Sequence, residues 1–190
     1  MDDVLHALIP ALWILWLIYW VGAARATRET QRSEGMGSRL SHYGPLIAGG
    51  LCLGVPNILG AELERPFHAA TLVWLLFETA LVVVGLSFSA LARAWLGSNW
   101  SAEVTVKQGH ELVRSGPYTL VRHPIYTGML LALAGTALMV GKWRALIGLA
   151  LMSAALLRKL TIEERFMTDQ FGVAYARYRA EVPALIPFLL

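Results

Sequence analysis

Gly116-Pro117-Tyr118-Thr119-Leu120-Val121-Arg122-His123-Pro124-Ile125-Tyr126-Thr127-Gly128 joins a polar loop to an apolar run, and the rest of the chain is arranged around it. Gly116-Pro117 signals a turn, and Pro124 suits the first turn of a helix, where a missing N–H leaves no bond unmade. His123 therefore stands at a helix N-terminus, at the level where an apolar helix meets polar chain. Unpaired N–H groups at a helix start, beside a donor-rich Arg-His pair, make a natural anion site. The same residue types also serve as plain interfacial anchors where helices leave a bilayer, and this stretch alone does not separate the two.

Working outward, the surrounding chain is apolar. Of 190 residues 56% are hydrophobic and 15% charged, which excludes an ordinary soluble domain and points to an integral membrane protein. One cysteine, Cys52, excludes an internal disulfide and a cysteine-based zinc cluster, and no metal site is expected. The acidic start Met1-Asp2-Asp3 does not resemble a cleaved signal peptide. No repeat, low-complexity tract or second domain is visible, so residues 1–190 are read as one integral membrane domain. Its N-terminal helices cover 1–96 and its polar core 97–190. Nothing points to nucleic acid, and the sequence sets no oligomeric state.

Five apolar runs give an all-α, polytopic fold with about five transmembrane helices. The first spans about Leu5 to Ala24. The second, about Pro45 to Gly60, is short, glycine-rich and interrupted by Pro56-Asn57, so a kink or close packing through small residues is expected. The third, about His68 to Ala92, carries one carboxylate, Glu78, read either as a cavity-lining acid or as a structural carboxyl bonded to a neighbouring helix. The fourth runs from Ile125 to Gly141. Lys142-Trp143-Arg144 leaves room only for a hairpin into the fifth, about Ala145 to Leu157. Between the third and fourth runs, Ala102 to Val106 need not be helical, and the long polar loop around it is of the kind that carries function.

The basic residues orient the chain. Arg25, Arg28, Arg32, Arg39, Arg93, Lys107, Arg114, Arg122, Arg158, Lys159, Arg165, Arg177 and Arg179 fall on one side of five crossings. Only Arg65, Lys142 and Arg144 fall on the other. Thirteen against three places the N-terminus outside and the C-terminus with the His123 stretch in the cytoplasm. From Thr161 to Tyr178 the residues Ile162, Phe166, Phe171, Ala174, Tyr175 and Tyr178 recur at helical spacing, an amphipathic tail helix. The hairpin returns Arg158, Lys159, Glu163 and Glu164 to the membrane level of His123, so two polar clusters distant in sequence converge. Val182 to Phe188, apolar and broken by proline, must lie along the bilayer or cover that pocket.

Gly116-Pro117-Tyr118, Val121 to Gly128, Glu163-Glu164, Phe171-Gly172 with Tyr175 and Tyr178, and Val182-Pro183 with Ile186-Pro187-Phe188 resemble the isoprenylcysteine carboxyl methyltransferase family. The resemblance runs from about Trp100 to Phe188. It implies a membrane methyltransferase using S-adenosylmethionine, held on the cytoplasmic side beneath the tail helix. Carried over by position, cofactor contacts fall on Glu103, His110, Glu111, Leu112, Val113, Tyr118, His123, Pro124, Ile125, Tyr126 and Glu163. Arg122, His123 and Glu164 take catalytic roles. Lys159, beside Arg158, stands where the family has a substrate-facing arginine, and a lysine keeps the charge without the bidentate fork. The implied acceptor is a lipophilic or prenylated molecule entering from the bilayer among membrane lipids. Phospholipid or thiol methyltransferases, an NADPH-dependent sterol-type reductase and a non-catalytic membrane adaptor remain as other readings.

Overall fold

The computed structural model describes residues 2–24, 30–33, 35–97, 100, 105–107 and 112–187. The described chain is helical: α1 (Asp2–Ala24), α2 (Met36–Gly54), α3 (Leu72–Leu96), α4 (Pro124–Val140), α5 (Trp143–Phe171) and α6 (Val173–Glu181). Two short strands, β1 (Thr30–Ser33) and β2 (Thr105–Lys107), add an antiparallel ribbon to the expected all-helical plan, pairing Thr30 with Lys107 and Ser33 with Thr105. Among the described residues, α3 and α5 are long and apolar enough to cross a membrane.

Local chemistry sets the boundaries. The Thr71 hydroxyl caps α3 by accepting the Trp74 N–H at 3.3 Å, and Gly97, with φ of 57°, ends it. Pro124 opens α4, and Gly141, with φ of 64°, closes it. The expected link Lys142-Trp143-Arg144 is shorter still, because Trp143 and Arg144 already belong to α5.

Three expectations are corrected. Pro56-Asn57 does not kink the second helix: α2 begins earlier and ends at Gly54, leaving both residues in the turn beyond it. The third helix starts at Leu72, since His68 lies in the preceding loop. The tail is not one amphipathic helix. α5 runs on to Phe171, and Gly172, with φ of 49°, breaks the path before α6. Only glycine takes that left-handed backbone without strain.

In the bundle α3 packs on α4 and α1, and α5 packs on α2 and α4. Glycines set the closest approaches. A methyl group on Gly85 would come within 2.5 Å of Gly128 O and Ala132 N, and one on Gly49 within 2.7 Å of Gly148 O. The packing reading of the second helix therefore holds, as backbones meet where side chains are absent. At the end of the bundle away from His123, Arg144 on α5 is buried. It pairs with Glu64 at 2.6 Å and donates to the Cys52 and Leu53 carbonyls of α2. Glu78 is also buried there, 3.4 Å from His68 Nε2, which meets Leu138 O of α4 at 2.8 Å. That geometry is the structural reading of Glu78.

Candidate functional site

The site forms where the start of α4 meets the last turns of α5. Gly116 takes φ of 58° and lies under the Trp95 ring, so a side chain there would collide as well as strain the backbone. The following 3-10 turn, Gly116–Thr119, buries Pro117 and Tyr118. It delivers Val121 into the core and Arg122-His123 to the head of α4.

Arg122 grips Glu164 through two N–H groups on one carboxylate oxygen, Nε at 2.9 Å and Nη2 at 2.7 Å. Its remaining nitrogen, Nη1, donates to the carbonyls of Arg179, at 3.2 Å, and Val182. His123 stands between the two glutamates, Nε2 3.3 Å from Glu164 Oε1 and Nδ1 3.7 Å from Glu163 Oε2. Tyr126, stacked on His123 one helical turn on, donates its hydroxyl to Glu163. Arg179 adds a second cation 3.4 Å from Glu164. Glu164 lies in the last turns of α5, beyond the apolar stretch that ends at Leu157. Burial alone would push its carboxyl up. The hydrogen bonds and charges of His123 and Arg122 outweigh that and hold it at about 2, against an ordinary 4.5, so it is ionised at neutral pH.

The C-terminal segment covers this turn. Arg122 N–H donates to Pro183 O at 2.8 Å, His123 N–H to Ala184 O at 3.0 Å, and the Thr127 hydroxyl to Leu185 O at 2.7 Å. Through residue 187 the segment lies against the turn at the head of α4, and Phe188 is outside the described residues. This pairing satisfies the N–H groups of Arg122 and His123, the two residues just ahead of the first turn of α4. Of the two carboxylates, Glu164 is already held by Arg122, His123 and Arg179, whereas Glu163, which accepts from Tyr126 and is 26% exposed, is placed to meet a cationic ligand.

The structure thus brings Arg122, His123, Tyr126, Glu163 and Glu164 together. Lys159 lies nearby, its Nζ 6.0 Å from the Tyr126 ring centroid, while Arg158 is exposed. Pro124 and Ile125 are buried in packing. Leu112 and Val113 are half-buried, and Val113 leans on the core around Tyr118 and Tyr126. Tyr118 directs its hydroxyl to Ala92 O of α3, 3.4 Å away, and burial, with the charge of Glu163, raises its pKa. Glu103, His110 and Glu111 lie outside the described residues.

Sequence reasoning counted Tyr175 and Tyr178 as apolar spacing and as part of the family pattern, and missed the packing and bonding they do. Both are almost fully buried, and Tyr178 donates to Tyr118 O at 2.6 Å. Burial, offset in part by Arg122 and Arg114, pushes the Tyr178 phenol up to about 12, so it remains a donor. It missed Arg93 as well, which is buried in the last turn of α3.

The fold and site define a helical membrane-type protein with a polar centre at the start of its fourth helix. Residues 74–169, half of the chain, match the Isoprenylcysteine carboxyl methyltransferase (ICMT) family, and the chain belongs to that family, whose members are membrane proteins. The match begins within α3, upstream of the resemblance read from the motifs, and ends before α6. The Protein-S-isoprenylcysteine O-methyltransferase of Schizosaccharomyces pombe is 29% identical over 147 residues, 73% of this chain and 57% of that protein. Protein-S-isoprenylcysteine O-methyltransferase B of Arabidopsis thaliana is 28% identical over 60% of this chain and 54% of its own. The cobalt-zinc-cadmium resistance protein CzcN of Cupriavidus metallidurans is 31% identical over 57% and 49%. The chain spans about half the length of these curated relatives.

Proposed function

We propose that this protein is an S-adenosylmethionine-dependent methyltransferase of the isoprenylcysteine carboxyl type, forming a methyl ester on the carboxylate of a lipophilic acceptor. The observation that carries the reading is the convergence of Arg122, His123 and Tyr126 with Glu163 and Glu164, all inside the segment that matches the family. The donor set fits the group. Glu163, partly open, offers a carboxylate to the cofactor's cationic sulfonium and ammonium, and Tyr126 orients that carboxylate. His123 stands 3.7 Å from the second edge of Glu163, and Arg122 with Glu164 fixes the turn beneath.

When bound, S-adenosylmethionine supplies an electrophilic methyl group for in-line displacement. The residues then have little proton chemistry to perform, and alignment dominates. A dry setting assists, since opposite charges on a carboxylate acceptor and a sulfonium disappear in the reaction. Lys159, on the face of α5 beside Tyr126, is assigned to the acceptor's anionic head, with Arg158 at the rim. The acceptor arrives sideways between helices and the cofactor from the cytoplasm. The fold is read as five crossings, α1 to α5, with the N-terminus outside and the His123 centre inside.

A methyl-transfer screen with radiolabelled cofactor and purified protein in detergent tests this. A prenylated cysteine, an amine lipid and a lipophilic thiol serve as acceptors. Base-labile label on the prenylated cysteine is the expected result. His123→Ala and Glu163→Gln should each weaken cofactor binding tenfold or more, the loss of one charge-assisted contact. Label moving only to the amine or thiol would change the acceptor class. Binding of NADPH without S-adenosylmethionine would indicate a reductase, and binding of neither an adaptor. A single cysteine at Gly35 should react only from the cytoplasmic side and one at Lys142 only from outside, and the reverse would refute the orientation.

A further inference from the structure

Arg93 is a buried cation that the site chemistry does not use. It is 2% exposed, and no carboxylate pairs with it among the described residues. Its described partners are the ends of two helices. Nη1 donates to Gly97 O at 2.9 Å, where α3 stops, and Nη2 to Ala23 O at 2.6 Å, where α1 stops. The guanidinium lies 4.2 Å from the Trp100 ring centroid, and Trp20 of α1 stands edge-on to Trp100 at 5.4 Å. Helix C-termini carry unpaired carbonyls and the negative end of the dipole, so one cation between two such ends holds both.

The chain leaves these two ends to form the ribbon. β1 follows α1, β2 follows α3, and the strands pair with each other while β2 rests against α5, the helix of Glu163 and Glu164. The same turns of α3 take the chain back again. Trp95 Nε1 donates to Ser115 Oγ at 3.0 Å, and Tyr118 to Ala92 O. Residues 92–97 therefore fix both ends of the stretch that carries β2.

We propose that Arg93 is a positioning residue for the cofactor: by locking the ends of α1 and α3 over Trp100, it sets where the ribbon meets α5, the helix that carries Glu163. The proposal rests on the cofactor reading above, and the experiment separates the two. Hydrogen exchange is first measured without cofactor on wild type and Arg93→Met, which keeps length and apolar bulk but removes the donors. The Thr105–Lys107 amides should exchange at least tenfold faster in the variant while α4 amides keep their rate. Unchanged exchange at Thr105–Lys107 overturns the proposal whatever the protein binds.

Radiolabelled S-adenosylmethionine then provides equilibrium binding and kinetics. Arg93→Met should raise the cofactor Kd and KM about tenfold, with kcat at saturating cofactor and the acceptor KM within about threefold. Arg93→Lys, a cation able to reach one carbonyl, should recover part of the loss. A purely structural role would instead lower the active fraction at unchanged cofactor KM, with Lys no better than Met, and would overturn the assignment. Should Arg93→Met fail to fold, Trp100→Leu removes the ring beneath the guanidinium. It should raise the cofactor Kd two- to fivefold, and an unchanged Kd refutes the role. Wild-type protein that binds no S-adenosylmethionine overturns the cofactor reading itself, and with it this role, even where the exchange result stands.

Discussion

Glu164→Gln, Arg122→Met and the double variant form a cycle across a largely buried ion pair. The two side chains are 12% and 9% exposed and share two N–H···O bonds of 2.9 and 2.7 Å. Removing one member of a buried pair costs about 3–5 kcal/mol, because the other charge is left without its partner. Arg122 keeps the carbonyls of Arg179 and Val182, and Glu164 keeps His123 and Arg179, which places each single loss near the lower end. At about 3 kcal/mol, a chain of this size should lose roughly 6–12 °C in Tm. The double variant leaves neither Arg122 nor Glu164 buried without the other, so its loss should fall short of the sum by about 2 kcal/mol. Thermal unfolding in one detergent, followed by near-ultraviolet circular dichroism, measures all four proteins. Losses that add to within about 0.5 kcal/mol would mean that the two groups are uncoupled, and the reasoning would fail.

The depressed pKa of Glu164 gives a pH signature. Its stabilising contribution is complete above about pH 4.5 and disappears as pH falls toward about 2, so the Tm gap between wild type and Glu164→Gln should narrow across that window. A gap independent of pH would refute the ionised pairing. Lys159→Ala should raise the acceptor KM at least fivefold with cofactor Kd within twofold, and Lys159→Arg should retain most activity on a carboxylate acceptor. Weakened cofactor binding instead would move Lys159 out of the acceptor site. Gly128→Ala would drive a methyl group to 2.6 Å from the Ser89 N, costing about 1–3 kcal/mol, whereas Gly50→Ala meets open space and should leave Tm nearly unchanged. Equal Tm values for the two would show that α3 and α4 do not touch through Gly128.

Much of the site was legible because its geometry follows from short-range rules. A proline after Arg122-His123 demands a helix start, and a link as short as Lys142-Trp143-Arg144 demands a hairpin, so Glu163 and Glu164 had to return to the level of His123. What stayed hidden depends on partners far along the chain. Arg93 and Arg144 read as loop charges, yet each is buried on carbonyls from segments 70 or more residues away. Gly172 sits inside an unbroken apolar period, and periodicity carries no record of a positive φ. Nothing local reveals that Pro183 and Ala184 supply acceptors to the Arg122 and His123 N–H groups just ahead of α4. Strands of three and four residues have too little pattern to announce a ribbon.

The length of α5 makes the protein a depth gauge. Its 29 residues span about 43 Å, against roughly 30 Å of bilayer hydrocarbon. Glu163 lies twenty residues after Trp143, about 30 Å along the rod. In the proposed orientation the glutamates therefore stand one membrane thickness above the far surface, level with the near headgroups. On the function proposed above, an acceptor would not need to leave the bilayer to react, and its reactive group would ride at that height. Thicker lipid should submerge the glutamates and slow turnover of a bilayer-borne acceptor, while a detergent-solubilised acceptor of the same chemistry should show no dependence on acyl length.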